Sequence, residues 1–287
     1  MRIKPAVVRG LRCVRKMRGG AQAHLIEASN GCQYVVKFVN NPQGRRILVN
    51  EMVASFLFGE LGINVAQPAF VTIDRECLKQ NPNLFLKLGS RRIDVDSGVH
   101  FGSLVPCEPA VPIFDFLPDA LFQKVVNRDH FKGVLMADKW VCNCDGRQAV
   151  FHRAGNDWVA TMIDQGYAFE GTNWRFTDAP LHGLYGRVAV YGYRPIMRQF
   201  ELWIEKLFAL NTELEDEIRD TIPTEWLGGE ENELRKLLRK LFERRELVPD
   251  LVRQSLCRLR RKAREDRARV ESVPAQDTIP VCISVPK

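Results

Sequence analysis

The stretch "YVVKFVNNPQGRRILVNEMVASFLFGELGINV", residues 34 to 65, decides the fold of this chain. It begins with an alternating apolar run, which predicts a half-buried β-strand that ends at Lys37. Apolar residues then recur at helical spacing, and two glycines mark the end of the helix. These residues are Leu48, Val49, Met52, Val53, Phe56, Leu57 and Leu61, followed by the glycines Gly59 and Gly62. The stretch therefore predicts a strand followed by one amphipathic helix.

Lys37 is an unexpected residue at the end of a half-buried strand. An unpaired ammonium in a low-dielectric environment costs several kcal/mol, so we expect a partner or a ligand. Glu51 follows in a helix that must pack against the same sheet, and an ion pair between the two is geometrically reasonable. In kinase-type phosphoryl transfer, such a pair holds the lysine against the nucleotide phosphates. The alternative is a lysine at the sheet edge that extends to water.

A glycine-containing turn precedes this strand. The segment "KMRGGAQAH", residues 16 to 24, places two glycines and small residues between two predicted strands. Its backbone N–H groups could approach a triphosphate, which makes Gly19, Gly20, Ala21 and Gln22 candidate nucleotide-binding residues. An ordinary hairpin turn explains the same pattern. A glycine turn, a strand lysine and a helix glutamate follow in the order that a nucleotide-binding lobe requires.

The chain divides into a strand-rich part and a helix-rich part. Prolines concentrate in "PCEPAVPIFDFLP", residues 106 to 118, which indicates a connection between two lobes. We predict an α+β, bilobal fold, with a small antiparallel-sheet N-terminal lobe carrying one helix and a larger, mostly helical C-terminal lobe. The predicted boundaries are 1–103 for the nucleotide-binding lobe, 104–270 for the catalytic and metal-binding lobe, and 271–287 for a flexible tail.

Two aspartates in the second part are candidates for chemistry. Asp145 lies in a turn after a helix, where its carboxylate could accept a hydroxyl proton. Asp164 ends an apolar strand and precedes Gln165 and Gly166, so it could supply an oxygen ligand to Mg²⁺ at the edge of a cleft. A predicted hairpin between the aspartates would bring them to one edge. The alternative for each is a turn carboxylate that caps its own backbone.

These motifs together resemble the HipA-like kinase family, which has a bilobal protein-kinase-like fold. The resemblance rests on five segments in a fitting order: "GGAQAHLIEASNGCQYVVKF", "LVNEMVASFLFGELGINV", "WVCNCDGR", "MIDQG" and "TIPTEW". It implies a phosphotransferase that uses ATP and Mg²⁺, and we predict that the acceptor is a protein serine or threonine. Lys37 would contact the phosphates, Asp145 would be the catalytic base and Asp164 a metal ligand. Backbone groups around Ser103 and Val105 would face the adenine.

The sequence departs from the family pattern at one position. The family has an asparagine metal ligand five positions after the catalytic aspartate, and counting from Asp145 reaches Val150, which cannot bind metal. Gln148 and Asn143 carry the nearest amide oxygens that could substitute. A register starting at Asp138 would place Asn143 correctly, but Asp138 falls within a predicted helix, so Asp145 is favoured. The departure supports a rival hypothesis, a pseudokinase that binds nucleotide or a partner without turnover.

Composition excludes several other classes. No run of 18 apolar residues could span a bilayer, the basic N-terminus has no apolar signal core, and the eight cysteines show no metal-binding spacing. We therefore predict a cytoplasmic protein with reduced thiols. The net charge of +7 and the arginine-rich stretch 258 to 270 leave RNA binding as a third hypothesis, although this stretch has no aromatic residues for base stacking. The oligomeric state is left open.

Overall fold

The computed structural model describes residues 4–105, 111–192 and 194–271 of the chain. These residues form nine β-strands and nine α-helices, which confirms the α+β class. The strands are β1 (Ala6–Lys16), β2 (His24–Ala28), β3 (Gln33–Lys37), β4 (Pro68–Ile73), β5 (Phe85–Leu88), β6 (Arg91–Asp94), β7 (Gly98–Leu104), β8 (Gln148–Ala154) and β9 (Asp157–Ile163). The helices are α1 (Arg46–Glu60), α2 (Arg75–Gln80), α3 (Asp119–Phe122), α4 (His130–Trp140), α5 (Glu201–Phe208), α6 (Leu214–Thr221), α7 (Thr224–Leu227), α8 (Glu231–Glu243) and α9 (Val248–Glu271).

Five of the N-terminal strands form a closed barrel in the order β1-β2-β3-β7-β4. The predicted antiparallel sheet with one helix is therefore corrected in two respects. β1 and β4 pair in parallel and close the barrel, with Ala6 opposite Ala69, and the additional helix α2 follows β4. A parallel pair needs a long crossover connection, so a local alternation pattern does not reveal it. β5 and β6 form a separate hairpin, and β8 and β9 form another.

The barrel contains two buried histidines that flank one phenylalanine. The Phe38 ring lies 5.4 Å from the ring of His24 and 5.2 Å from that of His100, measured between centroids. His100 accepts the backbone N–H of Val39 at Nδ1, so the neutral imidazole fits this site. Burial lowers the pKa of each histidine to about 4. Both rings therefore stay neutral where an unfolded histidine, with a pKa near 6.5, takes up a proton.

This pair predicts a loss of stability in mild acid. Between about pH 6.5 and 4 the unfolded chain binds more protons than the folded chain, so the free energy of unfolding falls as pH falls. The contribution of each neutral histidine to the free energy of unfolding is fully present above about pH 6.5. We expect loss of this contribution to lower the free energy of unfolding by about 1–2 kcal/mol per histidine on going to pH 5. Urea unfolding at several pH values in this range measures how steeply the free energy of unfolding falls with pH. His24→Leu should make this pH dependence less steep. An unchanged pH dependence would contradict the role assigned to His24.

The helix α1 joins the barrel to the helical part of the chain. Every residue from Ile47 to Phe58 is buried, although the sequence predicts an amphipathic helix with one exposed face. Its apolar side chains share one continuous core with those of α4, α5, α8 and α9. In α4, a Cβ on Gly133 would lie 2.6 Å from the Trp203 ring, so a glycine is required where α5 packs against this helix. The helix that carries Glu51 is thus fixed on all sides.

Part of the predicted connection and tail lies outside the described residues, namely 106–110 and 272–287. Within the described part, β7 ends at Leu104, next to the predicted lobe boundary, and α9 continues to Glu271. The six cysteines in this part form no disulfide with one another. None of the helices described is long and apolar enough to cross a membrane.

Candidate active site

Lys37 lies at the bottom of a cleft, at the end of β3. Along this strand Tyr34 and Val36 point into the barrel core, whereas Val35 and Lys37 face the cleft. The Lys37 ammonium donates hydrogen bonds to Glu51 of α1 and to Asp164, whose Oδ1 lies 2.7 Å from Nζ. The strand lysine, the helix glutamate and the distant aspartate therefore converge on one point.

Within this cluster Lys37 and Asp164 hold each other in the ionised state, whereas burial raises the pKa of Glu51. Burial acts to lower the pKa of Lys37, but the carboxylates of Glu51 and Asp164 outweigh burial, and the pKa lies above its usual value. Burial acts to raise the pKa of Asp164, but the Lys37 ammonium outweighs it, and the pKa lies below its usual value. Lys37 is thus a fixed cation and Asp164 a fixed anion across the neutral range.

The turn that follows β9 packs tightly against α1. Asp164 adopts a left-handed backbone with φ of 60°, and the N–H of Gln165 donates to Glu51 Oε2 at 3.0 Å. A Cβ on Gly166 would lie 2.8 Å from Ile47, so only glycine fits there. The buried Asn50 donates from its side-chain amide to three carbonyls just beyond, those of Gly166, Ala168 and Gly171. The helix therefore sets the position of Asp164.

The turn carrying Asp145 is held by a buried polar network. Asp145 is exposed at the cleft, and its N–H donates to Asn143 Oδ1 at 3.2 Å. Asn143 Nδ2 donates to Asp138 Oδ1 at 3.0 Å. Arg147 donates to both oxygens of Asp138 and to the carbonyl of Ile163 at 2.9 Å. Asp138 is thus buried in an ion pair away from the cleft, which rules against the alternative register.

The cleft has a volume of about 520 Å³. Its wall includes the glycine turn, residues 17 to 23, together with Val35, Phe101 and Ser103 on one side and Cys144 and Ile163 on the other. At one end, Gln43 donates from Nε2 to the Tyr167 hydroxyl at 2.7 Å. A Cβ on Gly20 would lie 2.5 Å from this Nε2, so the turn can approach Gln43 only because residue 20 is glycine.

The structure brings most of the predicted site residues to this cleft. They are Gly19, Gly20, Ala21, Gln22, Lys37, Glu51, Ser103, Asp145, Gln148 and Asp164. Two predicted residues, Val105 and Asn143, do not line it, and neither does Val150, the position of the family asparagine. The N–H of Val105 donates to the Gln33 carbonyl, and the amide of Asn143 is used in the buried network. Val150 lies on β8 opposite Thr161.

Other cleft residues were not predicted. Val35 lies two residues before Lys37, so the same alternation that places Lys37 at the cleft could have identified it. Gln43 and Tyr167 had no such signal, because a single polar residue in a turn has many possible partners. Arg147 follows Asp145 by two residues, but the neighbouring sequence does not show that it pairs with Asp138 in α4.

The donor set at the cleft fits a hard divalent cation. Gln148 donates from Nε2 to Asp164 Oδ2 at 3.1 Å, which places the Gln148 amide next to a carboxylate, with its nitrogen facing Asp164. Mg²⁺ is commonly bound by one or two protein oxygens together with substrate phosphates and water. Among the described residues there is no group of three or more His, Cys, Asp or Glu side chains suited to metal binding. Asp164 and Gln148 are therefore the residues that would hold such an ion.

The barrel, the buried helix and the following helical part give the chain a kinase-like fold, which is shared with two solved structures. The Helicobacter pylori proinflammatory kinase CtkA superposes with a TM-score of 0.52 and 13% identity, over 86% of this chain and 98% of its own. A hydra Fam20 structure with sugar superposes with a TM-score of 0.52 and 11% identity, over 89% of this chain and 88% of its own.

The sequence also matches the family model described as HipA-like kinase, over residues 11–255. The chain belongs to the HipA-like kinase family, as its motifs predicted. No curated protein matches it in sequence.

Proposed function

We propose that this protein is an ATP-dependent phosphotransferase that transfers the γ-phosphoryl group to a hydroxyl of a protein serine or threonine. The barrel part and the helical part would act as two lobes, with MgATP in the cleft between them. The observation that carries this proposal is the position of Lys37, which is held between Glu51 and Asp164 inside a cleft bordered by a glycine turn.

Each proposed role follows from the position of the side chain. Lys37 would neutralise charge on the phosphates, and Glu51 would keep its ammonium in place. The glycine turn would offer backbone N–H groups to the phosphates, while Val35, Phe101 and Ser103 line the wall suited to the base. In the transfer, the acceptor oxygen forms a bond to the γ-phosphorus, the bond to the bridging oxygen breaks, and ADP leaves. Asp145 would accept the hydroxyl proton.

Metal binding would involve Asp164 and Gln148. Mg²⁺ neutralises charge on the phosphates when bound. The carboxylate of Asp164 is ionised, as the ion requires, and one of its oxygens already lies next to the Gln148 amide. Rotation of this amide would turn its carbonyl oxygen towards the ion. Gln148 would then take the place of the family asparagine, whose position is occupied by Val150.

A pseudokinase remains the second candidate, and Val150 is the observation that favours it. A protein of this kind would keep the cleft and bind nucleotide without transferring phosphate. Binding and transfer must therefore be measured separately.

The first experiment is a thermal unfolding titration with ATP and Mg²⁺. At ATP concentrations about 100-fold above Kd, we expect the midpoint to rise by about 5–8 °C, because ligand binding to the folded state stabilises it by mass action. Chelation of the metal with EDTA should remove part of the shift. No shift with any adenine nucleotide would refute the proposal.

The second experiment is incubation with γ-labelled ATP and a native lysate, followed by separation of labelled proteins. We expect label on serine or threonine of an acceptor. Asp145→Asn should abolish the label and retain the thermal shift, since Asp145 would act only on the acceptor. A thermal shift in the wild-type protein without any transfer would select the pseudokinase.

A further inference from the structure

The positive charge of this protein is concentrated at its N-terminus. The first 26 residues contain seven Lys and Arg residues and no Asp or Glu, whereas the remaining residues contain 35 of each sign. The whole net charge of +7 therefore arises from this short stretch. In the structure the described part of the stretch forms β1, the glycine turn and the start of β2. A negatively charged partner would therefore be attracted to this part of the protein.

One basic side chain of this stretch, Lys16, shares a surface with basic side chains of the β5–β6 hairpin, where Lys87 and Arg92 are cross-strand partners. We call this surface the cationic face and define it by three exposed residues: Lys16, Lys87 and Arg92. Lys16 and Arg92 approach the same ring, that of Phe85, at 5.6 and 4.2 Å from its centroid. Burial and the nearby charge of Lys87 both lower the pKa of Lys16. The cations are therefore close enough to repel one another.

The cationic face is not neutralised by the protein itself. Within the described parts of the chain, none of its three side chains forms an ion pair, although the neighbouring Arg12 pairs with Glu27. A cluster of like charges that lacks counter-charges is stabilised when an anionic partner binds. The face is therefore suited to a partner with several negative charges.

The face is physically joined to the cleft through Gln22. The side chain of Gln22 accepts from the Lys16 ammonium and from the N–H of Lys87, and it donates to the Lys87 carbonyl at 2.6 Å. Gln22 itself has a left-handed backbone with φ of 50° and lines the cleft. Arg18 also lines the cleft. A molecule bound to this face would thus lie directly beside the glycine turn.

We propose that the cationic face is the docking site for an acidic segment of the protein acceptor. This proposal rests on the proposed phosphotransferase function, because the acceptor must approach the cleft at which the face ends. Exposed apolar side chains lie on the same two elements, Val7 and Leu11 on β1 and Leu88 on β5. A polypeptide with acidic and apolar residues matches both kinds of surface. A single-stranded nucleic acid would need free aromatic rings, and Phe85 is occupied by two cations.

The test uses a fluorescein-labelled 16-residue peptide of Asp, Glu and Leu with one Ser, and a control peptide in which every acid is Gln. We expect binding of the acidic peptide that weakens with salt, measured by fluorescence anisotropy without nucleotide. The double variant Lys87→Glu/Arg92→Glu should raise Kd by about tenfold or more. The variant Arg235→Glu/Lys240→Glu makes the same charge change on the exposed side of α8 and should leave Kd unchanged.

Three results would overturn the docking site. One is equal loss of binding in both double variants. Another is that a 16-nucleotide oligo(U) or phosphatidylserine vesicles bind more tightly than the peptide, and that this binding is lost in the double variant of the cationic face. The third is peptide binding without transfer to the peptide serine, by protein that does transfer label to an acceptor in the lysate. Failure of the peptide to bind while the ATP-dependent thermal shift persists would remove the docking site and leave the phosphotransferase proposal intact.

Discussion

Replacement of Asp164 by asparagine should reduce phosphoryl transfer by about 10³-fold or more, because the side chain loses the charge that a divalent ion requires. The shape of the side chain and its hydrogen bond from Lys37 can persist. Glu51 still pairs with Lys37, so we expect the fold to be retained, with an unchanged circular dichroism spectrum. Transfer from γ-labelled ATP under single-turnover conditions measures the effect.

Asp157→Asn is the matched control for this variant. Asp157 is exposed at the start of β9, the strand that leads to Asp164, and the charge change is the same. This variant should transfer phosphate at the wild-type rate. If Asp164→Asn keeps transfer within about tenfold of wild type, the metal role proposed for Asp164 is wrong, since loss of one electrostatic contact at a transferring group typically has a larger effect.

Lys37 could be predicted from sequence because it is a charge at the end of a half-buried strand, Glu51 because it lies in the helix that packs on this strand, and Asp164 because it follows an apolar strand at a turn. A strand lysine and a helix glutamate both demand partners, and a strand-end aspartate before glycine marks a turn. The physical penalty for burying a charge therefore serves as the signal. The roles of these residues remain proposals, but their convergence is visible in the salt bridges.

The barrel and the buried network could not be predicted in the same way. Closure of the barrel depends on the parallel pairing of β1 with β4, and this pairing leaves no trace in either strand. Asn143 was a candidate metal ligand because its amide lies near Asp145 in sequence. Whether an amide faces a cleft or a buried carboxylate depends on contacts across many residues, and here Asn143 bonds to Asp138.

Loss of Asp138 should be the most destabilising single change among the charged residues of this network. The Asp138 and Arg147 side chains are both fully buried and bonded at 2.5 Å. Asp138→Ala leaves the guanidinium unpaired in the interior, and we expect a loss of about 3–5 kcal/mol in the free energy of unfolding. Urea unfolding measures it. Glu233→Ala, which breaks an exposed pair with Lys236, should cost less than about 1 kcal/mol.

A double variant separates the charge of this pair from its role in positioning. Asp138→Leu/Arg147→Met removes both charges, so we expect recovery of at least about half of the lost stability. Phosphate transfer should not recover, because Asn143 and the Ile163 carbonyl then lack the partners that hold the turns of Asp145 and Asp164. Recovery of transfer together with stability would show that the two charges only neutralise each other and do not position the turns of Asp145 and Asp164. A loss below about 1 kcal/mol in Asp138→Ala would place the pair in contact with water.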